Sequence, residues 1–93
     1  MHASIRQYRS SDSAEVGRRA QEGFVPIVRE ISGFSSWYLV DGGDGTVTTI
    51  TIAEDEAGVE ESVDKAREWV RENAGDLVEG EPTVTNGEVV THA

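Results

Sequence analysis

The chain has 93 residues and a mass of 10.1 kDa, enough for one small domain over residues 1–93, and its 37% hydrophobic content can fill a core. Eighteen acidic against eight basic residues give a formal charge of -10, which repels phosphate backbones and speaks against nucleic-acid binding. The absence of Cys excludes disulfides, thiolate nucleophiles and thiolate metal sites.

No apolar run approaches the roughly 18 residues of a membrane span, and Met1-His2-Ala3-Ser4 lacks a basic-then-apolar signal pattern. A soluble, cytoplasmic protein without membrane contact is expected. A domain this short hides only roughly 60–65% of its unfolded surface, so a partner subunit is expected as well. Lys65 is the only lysine; the acidic surplus reads as a solvated surface, with a high-salt cytoplasm or codon bias as alternative sources.

Residues 3–9 alternate as a strand, with Ala3, Ile5 and Gln7 on one face and Ser4, Arg6 and Tyr8 on the other. Asp12, with Glu15 three residues on, has the spacing of a capping box and opens a helix. Val16, Ala20, Phe24, Ile27, Val28 and Ile31 form its apolar stripe. Pro26 removes one hydrogen bond and crowds the carbonyl four residues back, which predicts a kink or break near Glu22–Gly23. Phe34–Asp41 and Thr46–Ala53 are the clearest strands, and Gly42-Gly43-Asp44-Gly45 makes them an antiparallel hairpin. Asp55 caps a second helix to about Asn73, with Val59, Val63, Ala66 and Val70 on its stripe and Trp69 beside it. Pro82–Thr91 is β-prone. Asn86-Gly87 within it signals either a two-residue hairpin or a glycine bulge in one strand; the bulged strand is preferred, because hairpin arms would be only about three or four residues long.

The order β-α-β-β-α-β gives a ferredoxin-like α+β fold: a four-stranded antiparallel sheet with two helices on one face. First and last strands become neighbours, which should bring His2 near His92. Phe34 and Tyr38 fall on one side of their strand and Trp37 and Leu39 on the other, so both sheet faces want cover, and a sheet-to-sheet homodimer supplies it.

The run Phe24-Val25-Pro26-Ile27-Val28-Arg29-Glu30-Ile31-Ser32-Gly33-Phe34, then Trp37-Tyr38-Leu39-Val40-Asp41 and Gly43-Asp44-Gly45-Thr46, resembles the antibiotic biosynthesis monooxygenase-like family of dimeric α/β barrels. Ala66-Arg67-Glu68-Trp69-Val70-Arg71-Glu72-Asn73 and Gly87-Glu88-Val89-Val90 continue the likeness in the same order over nearly the whole chain. The resemblance implies a barrel closed across a homodimer and a pocket between sheet and helices in each subunit. It also implies two activities: cofactor-independent oxygenation of aromatic polyketides, in which a phenol is held as its anion, and haem opening. The haem-opening members share an Asn on the first strand and a His at the second helix; here the Asn residues are Asn73 and Asn86 and the His residues His2 and His92, so haem degradation is not carried over, and no cofactor is expected.

The pocket candidates are Tyr8, Phe24, Trp37, Tyr38, Trp69 and Arg6. Each has a plainer reading: core packing for Trp69, one of Trp37 and Tyr38 under the helices and the other at the dimer interface, a satisfied core hydroxyl for Tyr8, an exposed salt bridge for Arg6. His2 and His92, without a third ligand, make no metal site. The glycine-rich turn precedes a strand and lacks phosphate-binding geometry, and no Ser has a His to activate it. With no specific catalytic constellation, the leading expectation is a homodimer binding a small apolar or aromatic ligand. The alternative is a cofactor-independent monooxygenase acting on a small phenolic substrate.

Overall fold

The computed structural model describes residues 1–93. Strand β1 (His2–Ser10) is followed by helices α1 (Ser13–Gly23) and α2 (Val25–Val28), strands β2 (Phe34–Asp41) and β3 (Thr46–Ala53), helix α3 (Glu56–Asn73) and strand β4 (Val78–Glu88). The sheet order is β2-β3-β1-β4 with every neighbouring pair antiparallel, and the helices pack on one face of it. This is the expected ferredoxin-like α+β fold, with the first helical segment divided in two. No helix is long and apolar enough to cross a membrane.

The break falls where Pro26 demands it. Phe24 is at once the last cap of α1 and the first of α2, and Pro26 sits in the first turn of α2, where a missing N–H costs nothing. Val16, Ala20, Phe24, Val28 and Ile31 are buried as the periodicity requires; Ile27, expected on the same stripe, lies after the break and is exposed. The capping box is half formed. Asp12 accepts from the Glu15 N–H at 3.1 Å, but the Glu15 carboxylate turns to Arg18 and Arg19, and the Asp12 N–H bonds Ser10 Oγ at 3.1 Å instead. Asp55 caps α3 by accepting from the Gly58 N–H at 2.9 Å. Trp69, placed beside the α3 stripe by sequence, is in its centre with Val59, Ser62 and Ala66.

Two irregularities correct the expected pleat. On β2, Phe34 stands opposite Ala53 while Ser36 stands opposite Ile52, so Ser35 is an extra residue. That bulge returns Phe34 to the helix side, with Trp37 and Leu39, against the core; Tyr38 alone of the pair faces outward. On β4 the bulge is not at Asn86-Gly87, which runs in regular register with Ser4 and Ala3. Gly80, Glu81 and Pro82 stand together opposite the single residue Tyr8, between the pairs Gln7–Thr83 and Arg9–Glu79. Gly80 takes the positive φ of 69°, and Pro82 has no N–H to give the ladder, so the interruption belongs there. The strand accordingly begins at Val78 and ends at Glu88. His2 pairs with Glu88, and the ladder does not bring it opposite His92.

Candidate functional site

Alternation along β1 aims Ser4, Arg6, Tyr8 and Ser10 at the helices, all of them buried, and Ile5, Gln7 and Arg9 away from them. On β3 the same rule aims Val47, Thr49 and Thr51 inward, and Arg6 pairs directly with Thr49 across the ladder. Trp37 and Leu39 reach in from β2, Val16, Ala20 and Phe24 come from α1 and its cap, and Ala66 and Trp69 come from α3. Between them, bordered by Arg6, Tyr8 and Thr49 from the sheet, lies a cavity of about 30 Å³, eleven of whose thirteen lining residues are hydrophobic. Phe24 is its corner: its ring lies 5.7 Å from that of Trp37 at 56° and 5.8 Å from that of Trp69 at 55°, tilted arrangements that aromatic quadrupoles favour.

Three polar atoms on this wall have no hydrogen-bond partner in the protein: Arg6 Nε, Trp37 Nε1 and Thr49 Oγ1. Arg6 is 2% exposed, and none of the ion pairs involves it; its Nη1 contacts Ser4 Oγ at 3.4 Å, and its other polar neighbour is the Tyr8 side chain. The exposed salt bridge expected for Arg6 is therefore absent, because its strand position points it under α3 and no carboxylate is set against it. Burial lowers its pKa from the ordinary guanidinium value, and the neighbouring Tyr8 side chain partly offsets that. An isolated buried cation costs several kcal/mol, on the order of the stability margin of a small domain.

Beside this cavity lies a larger groove of about 320 Å³ between α3 and β4. Val63, Arg67, Val70 and Arg71 form one wall; the Gly80–Pro82 bulge and Val84 form the other. Arg6 and Tyr8 belong to both the groove and the cavity. The cavity has room for about one water, whereas an apolar cavity known to hold benzene measures roughly 150 Å³. The groove, at the lower end of the range for ligand pockets, has that room.

Of the six candidates, the structure gathers Arg6, Tyr8, Phe24, Trp37 and Trp69 around the cavity and puts Tyr38 outside it, on the opposite sheet face and 56% exposed. Thr49, Arg67 and Arg71 were not among the candidates. Thr49 becomes visible once the β1–β3 register is known. The two arginines read in sequence as part of a solvated helix face, and only the position of the β4 bulge turns them into a wall.

No protein-family model and no curated protein matches the sequence. Solved structures do. A protein of unknown function from Nitrosomonas europaea superposes with a TM-score of 0.81 at 19% identity, covering 99% of this chain and 91% of that one. The monooxygenase from the gene ActVA-Orf6 of Streptomyces coelicolor, in complex with nanaomycin D, gives 0.72 at 19%, over 98% and 92% of the two chains. SnoaB, a cofactor-independent oxygenase from Streptomyces nogalater, gives 0.74 at 10%, over 98% and 94%. At such identities the likeness is one of fold: the chain has the fold of the antibiotic biosynthesis monooxygenases, as its sequence resemblance implied.

Proposed function

We propose that the protein is a cytoplasmic homodimer that binds a small aromatic ligand between its sheet and α3, with one edge of the ligand against Arg6. The observation that carries this reading is the buried Arg6 guanidinium with a free Nε, set at the junction of an aromatic cavity and an open groove. The large majority of buried polar groups in folded proteins are hydrogen-bonded, and an unpaired guanidinium N–H in an apolar recess is a place where a ligand can complete the pairing. The outer face of the sheet supports the dimer: Ile5, Tyr38 and Val40 are exposed on it, in line with Ile50 and Ile52.

Both tryptophans line the cavity that shares Arg6 and Tyr8 with the groove, so indole emission reports on a ligand whose edge reaches Arg6. Titration with 1-naphthol is expected to give a saturable change in emission; emission that stays constant into the millimolar range contradicts the reading.

A second reading, cofactor-independent oxygenation of a phenol, is favoured by the donors themselves. Arg6 Nε, Trp37 Nε1 and the Thr49 hydroxyl offer donors for a phenolate oxygen in an apolar recess, where such hydrogen bonds stabilise charge most strongly. No acid–base pair accompanies them, which is why binding stands first. Oxygen consumption with hydroxynaphthalenes above the buffer rate, lost in Arg6→Met, would establish oxygenation; saturable binding without oxygen uptake leaves the binding reading alone.

A further inference from the structure

We infer that the ligand of the α3–β4 groove carries a carboxylate, held by Arg6 at the inner end and drawn in by Arg67 and Arg71 at the mouth. The inference rests on the binding reading above and specifies its ligand class.

The chain is strongly acidic, with a formal charge of -10, yet this groove gathers three of its eight basic side chains against one carboxylate, Glu81. Neither Arg6 nor Arg71 has an ion-pair partner, and Arg67 reaches only Asp64, at 3.6 Å on an exposed part of the helix. The contrast with α1 is direct. There Arg18 is paired with Glu15 and Glu22, and Arg19 with Glu15 and Asp76, at 2.7 to 3.2 Å. Carboxylates are thus plentiful enough to neutralise a guanidinium wherever the fold calls for it.

In the groove the innermost cation is the most buried, and its Nε has neither a protein partner nor access to solvent. A neutral ligand would leave it so. A carboxylate matches the guanidinium fork in geometry and charge, and the low dielectric that makes a lone Arg6 costly strengthens the pair once formed. Local positive potential on a negative molecule also steers an anion toward this mouth and away from the rest of the surface.

The test compares two probes with the same ring system, 1-naphthoate and its uncharged methyl ester, by isothermal titration of the full chain at neutral pH and low salt. Naphthoate is expected to bind at least about tenfold more tightly than the ester. Arg6→Met should weaken naphthoate about ten- to hundredfold, the range for losing a charge-assisted hydrogen bond. Arg71→Gln, on an exposed helix position that cannot prevent folding, should weaken it about two- to fivefold, with the difference shrinking as salt rises. Equal affinity for acid and ester overturns the carboxylate assignment and leaves the aromatic-ligand reading standing. Naphthoate affinity unchanged in Arg71→Gln and insensitive to salt removes the groove mouth from the assignment and so overturns it as stated. Absence of binding by either probe, with tryptophan emission unmoved, overturns both.

Discussion

Arg6 carries the functional reading and should also weigh on stability. A guanidinium held in the interior without a carboxylate is a standing cost, so Arg6→Met, which keeps the length and removes the charge, is expected to raise the free energy of unfolding by about 1–3 kcal/mol in urea while impairing ligand binding. A loss of stability would mean that an internal interaction, not an external ligand, justifies the charge. Gly23 offers a second test at this scale. A Cβ placed on it would lie 2.9 Å from Trp69 Nε1, so Gly23→Ala should displace the indole and destabilise by about 1–3 kcal/mol. Helix propensity alone predicts the opposite sign, a gain of up to about 1 kcal/mol; the direction of the change in urea midpoint therefore decides between packing and propensity.

The elements are joined by charge as well as by packing. Arg19, on α1, donates to the Asn73 carbonyl at 2.9 Å and to Asp76 Oδ1 at 2.9 Å, tying α1 to the end of α3, while its other side meets Glu15 at 3.0 Å. Hydrogen bonds from Arg18, then Arg19, hold the Glu15 carboxyl at a pKa of about 2, well below the usual range. Because the folded-state value is the lower one, this contribution is present above the unfolded pKa of about 4.3 and disappears as pH falls toward 2. The urea midpoint of the native chain should fall across that window, and Glu15→Gln should make the fall shallower while leaving its shape above pH 6 unaltered; parallel curves would show that the network adds nothing to stability.

At this same scale the sequence was legible in part. The helix break at Pro26, the hairpin at Gly42–Gly45 and both Asp caps follow from local chemistry, which acts over a few residues. The two bulges do not. Ser35 is an ordinary strand residue, and only the need to bury Phe34 while keeping Trp37 inward makes it surplus. Gly80 and Glu81 fall in a stretch that sequence leaves between helix and strand, and Pro82 opens the strand it predicts, whereas Asn86-Gly87, the stronger local signal, is absorbed into an edge strand whose outer side needs no partner. Register is a property of paired strands, so the β4 bulge, the groove it forms and the roles of Arg67 and Arg71 could not be read from any one segment. Arg6 shows the same limit: alternation placed it with Tyr8 on one face, but which face lies under the helices, and whether a carboxylate waits there, are tertiary facts.

For the whole molecule the open question posed by the sheet is what covers its second face. Ile5 is 40% exposed beside Ile50 and Ile52, and Tyr38 and Val40 continue the patch to the edge strand. A twofold pairing of these faces predicts a species of about 20 kDa, twice 10.1 kDa, in sedimentation, with Ile5→Glu shifting it to the monomer by placing a charge in the centre of the interface. A monomer at all concentrations for the native chain would remove the dimer. The α3–β4 groove lies on the helix side of the sheet, so a ligand there and a partner on this face would not compete.

The most direct test of the site uses the fact that the chain has two tryptophans, Trp37 and Trp69, both on the cavity wall. Two indole N–H resonances are therefore expected in a ¹H–¹⁵N spectrum. On titration with 1-naphthoate both should move along saturable curves with one common dissociation constant, and Arg6→Met should weaken that constant at least tenfold. Saturable binding detected calorimetrically while both indole resonances stay in place would put the ligand away from the Arg6 junction of cavity and groove and contradict the contact proposed there.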